Sequence, residues 1–183
     1  MLAQPSYVPK VDSGPSLSEP RVIVVMGVAA SGKSTVGAAL AQALGWPFHD
    51  ADDYHSAANK AKMHAGVPLT DDDRIPWLST LKALLGDVIR RDGHAVLACS
   101  ALKAWYRDAL VPADASPGAV RFAYLDVPRA TLEARLASRR HFFPISLLDS
   151  QLDTLEKPQD AVWVDGAQPV PAIVRTLRAA LHV

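Results

Sequence analysis

The stretch that decides the fold is Val22-Ile-Val-Val-Met-Gly-Val-Ala-Ala-Ser-Gly-Lys-Ser-Thr35. An apolar run of strand length leads directly into Gly27, where the spacing G-x-x-x-x-G-K-[S/T] of a phosphate-binding loop begins. The glycines let successive backbone N–H groups turn toward bound phosphates, and a helix starting near Lys33 adds the positive end of its dipole. We therefore expect a nucleotide to bind the whole loop: Gly27, Val28, Ala29, Ala30, Ser31, Gly32, Lys33, Ser34 and Thr35.

Two side chains of this loop have distinct predicted roles. The Lys33 ammonium is expected to reach the β- and γ-phosphate oxygens and to stabilise the charge of phosphoryl transfer, which makes Lys33 a catalytic candidate. The Ser34 hydroxyl is expected to ligate Mg²⁺. ATP and Mg²⁺ are accordingly the predicted cofactors.

Composition limits the class of protein. The chain has 183 residues, 49% of them hydrophobic, which suits one domain, and we assign residues 21–183 to it. We interpret residues 1–20 as a disordered leader. Lysine plus arginine equals aspartate plus glutamate at 19 each, so charge gives no argument for a nucleic-acid partner. The apolar runs are too short for a membrane span, and the lone Cys99, in a run typical of a buried strand, fits a reducing cytoplasm.

Apolar runs of strand length alternate with helical patterns, which indicates a three-layer α/β/α fold of the P-loop NTPase type around a five-stranded parallel sheet. The predicted strands are 22–26, 46–49, 95–100, 120–126 and 161–164. Helices are predicted from about 33 to Gly45, through the stripe 77–88 with Asp73 as a possible cap, and over 103–110, 129–140 and 169–181.

Carboxylates follow the second predicted strand, at the sheet edge that carries the phosphate loop. If the chain stays extended, Asp50 and Asp52 point the same way. We assign Asp50 to the metal and Asp52 to the hydroxyl that attacks the phosphate, since a carboxylate can serve in either role. An acidic turn or a helix cap is the alternative, and it suits Asp53 best.

The next segment carries candidates for binding a small acid. On a helix, His55, Asn59, Lys62 and Met63 would share one face, although a solvated polar face explains them equally well. The run Asp71-Asp72-Asp73 is typical of an exposed loop and cap, and only the adjacent Arg74 suggests a clamp on substrate.

Four blocks taken in order resemble the gluconate kinases of the thermoresistant type, small P-loop enzymes related in fold to shikimate kinase. The blocks are GVAASGKST from 27, DADDYHSAANKAKMHAGVPLTDDDRIPWL from 50, ACSALKAWYRD from 98 and RRHFFPISLLDSQLDTLEKP from 139. The second block is highly specific. The chain departs from the family pattern at Ala29-Ala30, where Ser-Gly is usual.

The resemblance implies transfer of the ATP γ-phosphoryl group to the 6-hydroxyl of D-gluconate, by a homodimer with a mobile lid at about 138–146. It implies that Arg139 and Arg140 of the lid are catalytic and that Asp52 is the hydroxyl base. The residues implied to bind substrate are Asp52, His55, Asn59, Lys62, Arg74, Lys103 and Arg107. Gln151 lies in the fourth block without an assigned role.

Two alternatives differ from this reading in substrate or in class. A kinase for another small hydroxy acid, such as shikimate, would keep the chemistry and differ in the block 55–77. A catalytically silent ATP-binding module would keep only the loop, and the presence of Lys33, Ser34, Asp50 and Asp52 argues against it.

Overall fold

The structure, a computed structural model, describes residues 19–138 and 145–183. Within them, five strands form one parallel sheet in the spatial order β2-β3-β1-β4-β5. The central strand β1 has the predicted bounds, and all five of its residues are fully buried. The strands are β1 Val22–Met26, β2 Phe48–Asp50, β3 Ala95–Cys99, β4 Val120–Asp126 and β5 Val162–Asp165.

The helices cover both faces of this sheet. In the described ranges they are α1 Lys33–Leu44, α2 Ala57–His64, α3 Asp71–Arg90, α4 Ala104–Leu110, α5 Arg129–Ala137, α6 Ile145–Thr154 and α7 Val170–Leu181. Alternate residues of β1 face opposite ways: Val24 packs with α3 and α4, and Val25 packs with α1 and α7. This division of the core confirms the predicted three-layer α/β/α architecture.

Strand β2 corrects the predicted 46–49 segment. It begins at Phe48, because Pro47 has no N–H to donate to a ladder, although its carbonyl accepts from the Val96 N–H at 2.9 Å. Trp46 instead lies before the strand, with its ring 4.5 Å from that of His94. β2 therefore ends one residue later than predicted, at Asp50.

The start of α3 corrects a second expectation. Thr70, not Asp73, is the N-cap: its hydroxyl accepts from the Asp73 N–H at 3.2 Å, and the Asp73 carboxylate accepts from the Thr70 N–H at 2.9 Å. This reciprocal pair is a capping box, in which a residue at the third helical position faces back to the cap. The Asp run thus forms the first turn of α3 and stabilises it through the helix dipole.

The predicted helix 129–140 is shorter in the structure. Helix α5 ends at Ala137 with Ser138 as its C-cap. Arg139, Arg140, His141 and most of the expected lid lie outside the described residues, as do residues 1–18 of the expected leader. Helix α6, which follows, was not predicted as an element. Among the described residues, no helix combines the length and apolar character that crossing a bilayer requires.

Candidate active site

The phosphate loop lies at the carboxyl edge of β1, where ligands bind in open α/β sheets. Gly27 has no room for a side chain, since a Cβ would stand 2.7 Å from Ser31 Oγ. Gly32 has a φ of 96° and ends the loop at the first turn of α1. Ala30, where the resembling family usually carries glycine, also has a positive φ, 62°. A left-handed alanine costs about 1–2 kcal/mol, so this loop holds backbone strain in place.

The two polar side chains of the loop that have predicted roles differ in their contacts. Ser34 Oγ donates to Asp50 Oδ2 at 2.6 Å, and the Asp52 N–H donates to Asp50 Oδ1 at 3.1 Å. Lys33 Nζ makes only a long hydrogen bond, 3.4 Å, to the carbonyl of Val28, and it forms no ion pair within the described residues. The loop therefore presents a cation without a carboxylate partner next to an oriented hydroxyl and carboxylate.

The backbone after β2 is not extended, which corrects the premise that alternation aligns Asp50 with Asp52. A 3₁₀ turn spans Ala51–Tyr54, and Asp50 is its N-cap through the bond from the Asp52 N–H. Asp50 is thus the cap of a turn, as the alternative interpretation of this segment has it, and it still accepts the hydrogen bond from Ser34. The Asp52 side chain reaches the cleft by the turn instead, and no described residue donates a hydrogen bond to its carboxylate.

One cleft of about 270 Å³ joins the loop to the segment after β2. Lys33 and Asp52 both line it, together with His55, Arg74 and Trp77. Three residues of the loop, Gly27, Val28 and Ser31, are buried and do not line the cleft. The remaining lining residues are Ala29, Ala30, Gly32, Ser34, Thr35, Met63, Val67, Pro68, Leu69, Ser100, Leu102, Leu147, Ser150, Gln151 and Thr154.

His55 and Trp77 form a stacked pair in the cleft wall. Their ring centroids are 4.4 Å apart with an interplanar angle of 10°, and the Trp77 indole N–H donates to the Ala51 carbonyl at 2.8 Å. Burial lowers the pKa of His55 below its usual 6.5, so the ring is neutral near pH 7. His55 Nδ1 is buried and has no hydrogen-bond partner among the described residues.

Two of the predicted substrate residues lie on α2 and are bonded to other residues of the protein. The Asn59 side chain is buried and its amide donates to the Asp73 carbonyl at 2.8 Å. Lys62 Nζ bonds both oxygens of the Asp73 carboxylate, at 2.6 and 2.8 Å. The Lys62 ammonium holds the pKa of Asp73 at about 2, and the Thr70 N–H adds to that effect. Neither Asn59 nor Lys62 lines the cleft.

Two others, Lys103 directly before α4 and Arg107 in its last turn, are also bonded within the protein. Lys103 Nζ binds both carboxylate oxygens of Asp71, at 3.0 and 2.8 Å, and the Tyr106 hydroxyl donates to the same carboxylate. These bonds, that from Lys103 first, lower the pKa of Asp71. Arg107 donates to the carbonyls of Ala101 and Leu102.

Arg74 is the exception among the cations of this region, because it lines the cleft. Its guanidinium donates to the Leu69 carbonyl and lies 5.6 Å from the centre of the Tyr106 ring. Of the residues assigned to substrate, Asp52, His55 and Arg74 are therefore in the wall, and Asn59, Lys62, Lys103 and Arg107 are not. Their roles toward a ligand stay predictions.

Two polar residues that had no role assigned from the sequence form hydrogen bonds with the loop. Arg135 of α5 donates to the carbonyls of Ala30, Ser31 and Gly166, at 3.2, 3.1 and 2.8 Å. Gln151 of α6 accepts from the Ala29 N–H at 2.6 Å. The helical spacing of Leu147, Ser150, Gln151 and Thr154 is a signal in the sequence that could have indicated a cleft-facing stripe.

Known proteins resemble this chain in sequence and in structure. A family described as an AAA domain matches residues 22–158. The probable gluconokinase of Mus musculus is 42% identical over 183 residues, covering 90% of this chain and 100% of that protein. The gluconokinase of Gluconobacter oxydans is 46% identical over 143 residues, 78% of this chain and 79% of that one. A crystal structure of a gluconokinase from Sinorhizobium meliloti has a TM-score of 0.78 and 46% identity, covering 90% of this chain and 93% of that chain.

Proposed function

We infer that this chain, which belongs to the gluconokinase family, phosphorylates gluconate with ATP. The observation that carries this function is one cleft lined both by Asp52 and by a phosphate loop whose Lys33 has no carboxylate partner among the described residues. The specific product is 6-phospho-D-gluconate, with ADP released. Such a reaction serves the catabolism of sugar acids.

Asp52 is the group that accepts the proton of the attacking hydroxyl. Its carboxylate lines the cleft and has no donor among the described residues, whereas both oxygens of Asp50 already accept hydrogen bonds. A free carboxylate can orient the acceptor's O–H toward the γ-phosphate and take the proton as the new P–O bond forms. The 3₁₀ turn holds the Asp52 backbone rigidly against Asp50.

The phosphate loop supplies the charge stabilisation. Its N–H groups and Lys33 surround the phosphates, where they oppose the negative charge that spreads over the transferring group. Arg139 and Arg140 are assigned to the same task from a lid at about 138–146 that closes over the nucleotide. Closure of such a lid excludes water and so protects ATP from hydrolysis.

The oxygen pair at Ser34 and Asp50 fits a magnesium ion. The two oxygens are 2.6 Å apart, at the mouth of the loop, and hydroxyl and carboxylate oxygens are the ligands that Mg²⁺ prefers. Because the described residues contain no group of three or more His, Cys, Asp or Glu side chains suited to a metal, phosphates and water would complete the shell. Bound there, Mg²⁺ neutralises charge on the phosphates.

The acceptor is recognised by the wall opposite the loop. His55 and Arg74 offer a neutral imidazole and a cation to the hydroxyl groups and the carboxylate of a sugar acid. Asn59, Lys62, Lys103 and Arg107 are assigned to the same acid, and each would have to exchange an internal partner for it.

The experiment that tests this function is an assay coupled to ADP release with Mg-ATP. The panel is gluconate, other aldonates, shikimate, glycerate and no acceptor. Turnover that depends on gluconate confirms the proposal. Turnover on another acid alone would keep the kinase and overturn the substrate, and ATP binding without turnover on any acceptor would indicate a silent module.

A homodimeric state and a cytoplasmic location complete the proposal. The homodimer rests on the family resemblance, and the location rests on the single cysteine, which is consistent with a reducing compartment. Sedimentation equilibrium of the full chain, with and without Mg-ATP, measures the first directly.

A further inference from the structure

Helix α6 presents adjoining faces to two parts of the molecule. Leu148 is fully buried and, with Leu152, packs in the apolar cluster that also contains Val28 and Ala30 of the phosphate loop. The neighbouring stripe, which lines the cleft, consists of Leu147, Ser150, Gln151 and Thr154. Apolar packing therefore fixes α6 against the loop while its polar side chains face the ligand-binding space.

The contact between α6 and the loop determines how Gln151 is oriented. The Ala29 N–H donates to Gln151 Oε1 at 2.6 Å, across 122 positions of the chain. A backbone N–H can only donate, so the amide oxygen must face Ala29 and the amide nitrogen Nε2 must point away from it. No described residue accepts a hydrogen bond from Nε2, which leaves both of its N–H donors available in the cleft wall.

We propose that Gln151 is a catalytic residue whose Nε2 donates hydrogen bonds to the oxygens of the phosphoryl group during transfer. This inference rests on the proposed function, because it requires phosphoryl transfer in this cleft. The loop gives up one backbone donor, the Ala29 N–H, to orient a side chain that carries two donors farther from the backbone. Donors oriented before the reaction stabilise transferring charge without the cost of reorganising when it develops.

Two substitutions of nearly equal volume separate this role from simple support of the loop. Gln151→Glu keeps an oxygen that accepts from the Ala29 N–H, but it has no donor at the position of Nε2. Gln151→Met keeps the length of the side chain and loses both functions. Glu also adds a negative charge near the phosphates, which opposes ATP binding whatever the role of Gln151, so the variants are compared by kcat at saturating ATP. If Gln151 only holds the loop, Gln151→Glu retains kcat and Gln151→Met does not. If Nε2 acts on the phosphoryl group, both variants lose activity.

The measurement is steady-state kinetics with Mg-ATP and gluconate, with thermal unfolding of each variant and the affinity for an ATP analogue. We expect kcat to fall roughly 10²-fold in both variants, as for loss of one preorganised donor. The gluconate KM should change less than about threefold, because the effect lies in the transition state. Gln42→Glu, on the exposed end of α1 and outside the cleft, is the matched control and should keep wild-type kcat.

Several results would overturn the proposal. Retention of kcat by Gln151→Glu, or by both variants, excludes a donor role, and so does a rise in the ATP KM with unchanged kcat. A wild-type protein that does not turn over gluconate instead refutes the proposed function. The Gln151 variants are then assayed with whichever acceptor is turned over, and the same kcat criterion applies.

Discussion

The lysines at the two sides of the cleft differ in whether a carboxylate is bound to them. In the loop wall, Lys33 has no carboxylate partner among the described residues and makes a single long bond to a carbonyl. Beside the acceptor wall, which consists of the cleft-lining residues between 55 and 77, Lys62 and Lys103 do not line the cleft and are each bound to both oxygens of an aspartate in the first turn of α3. A ligand that meets Lys33 gains the whole interaction, whereas one that meets Lys103 must compete with Asp71.

This difference teaches that a cation near a site is not necessarily available to a ligand. In the first turn of α3, Asp71 and Asp73 each bind a lysine, although each aspartate also opposes the negative charge of a sugar acid. These ion pairs therefore order the segment next to the acceptor wall, and they reduce the positive charge that a ligand can use there. The ionisable side chains of the acceptor wall itself, His55 and Arg74, have no carboxylate partner within the described part of the chain.

The largest expected change in kcat comes from Asp52, whose carboxylate lines the cleft and accepts no hydrogen bond from a described residue. Asp52→Asn should lower kcat by roughly 10²- to 10⁴-fold, because it removes the base for the acceptor hydroxyl, and should leave ATP affinity nearly unchanged. Steady-state kinetics and analogue binding measure the two quantities. Asp53→Asn, in the same 3₁₀ turn and outside the cleft, is the control. A normally active Asp52→Asn variant would reduce Asp52 to a turn residue.

Lys33 tests the loop wall directly. Lys33→Ala should lower kcat by roughly 10²- to 10³-fold, since it removes a charge that stabilises the transition state. Lys82→Ala, on α3 and outside the cleft, should behave as wild type in the same assay. Near-normal turnover by Lys33→Ala would end the comparison between the walls, because the unpaired cation would then have no catalytic value.

Lys103 tests whether a paired cation can still serve the acceptor. Lys103→Met should raise the gluconate KM roughly tenfold with kcat kept, as for loss of one hydrogen bond from a charged donor. The control is Lys157→Met, whose ion pair with Asp126 lies outside the cleft. An unchanged KM would mean that the Asp71 pair only joins α3 to α4.

The capping box tests how much order the acceptor wall gains from its first turn. Thr70→Ala removes the hydroxyl that accepts from the Asp73 N–H and should lower the free energy of unfolding by about 1 kcal/mol. Denaturant unfolding measures it, with Thr80→Ala inside the same helix as the control. An equal loss in both variants would show that the cap contributes nothing specific.

The smallest effect is the pH dependence of His55. Because burial lowers its folded-state pKa below the usual 6.5, the unfolded chain binds the proton more readily, and the free energy of unfolding falls as pH drops below 6.5. The unfolding curves of wild type and His55→Gln should therefore diverge in pH slope between pH 7 and 5. His64→Gln, at the exposed end of α2, should keep the wild-type slope. Identical slopes in all three proteins would contradict the burial argument.

Much of the backbone followed from local signals. The bounds of β1 and β4 and the glycine end of α1 were predicted as they stand, because mainly apolar runs of strand length and a left-handed Gly45 are local features. The start of β2 was misplaced because Pro47 was counted as strand. Ser34 and Asp50 were both assigned to the metal from sequence, and their side chains are hydrogen-bonded, whereas the extended chain assumed to align Asp50 with Asp52 is a 3₁₀ turn.

The amino-acid sequence by itself determined a phosphate loop on a buried parallel strand, and with it the reaction class, because loop spacing and apolar periodicity act over a few residues. Only the tertiary structure decided which polar groups remain available. Lys62, Lys103 and Gln151 meet their partners across 11, 32 and 122 positions, where the packing of α2, α4 and α6 sets the distance. No local pattern encodes those encounters, since each depends on how a helix is placed against another helix or against the phosphate loop.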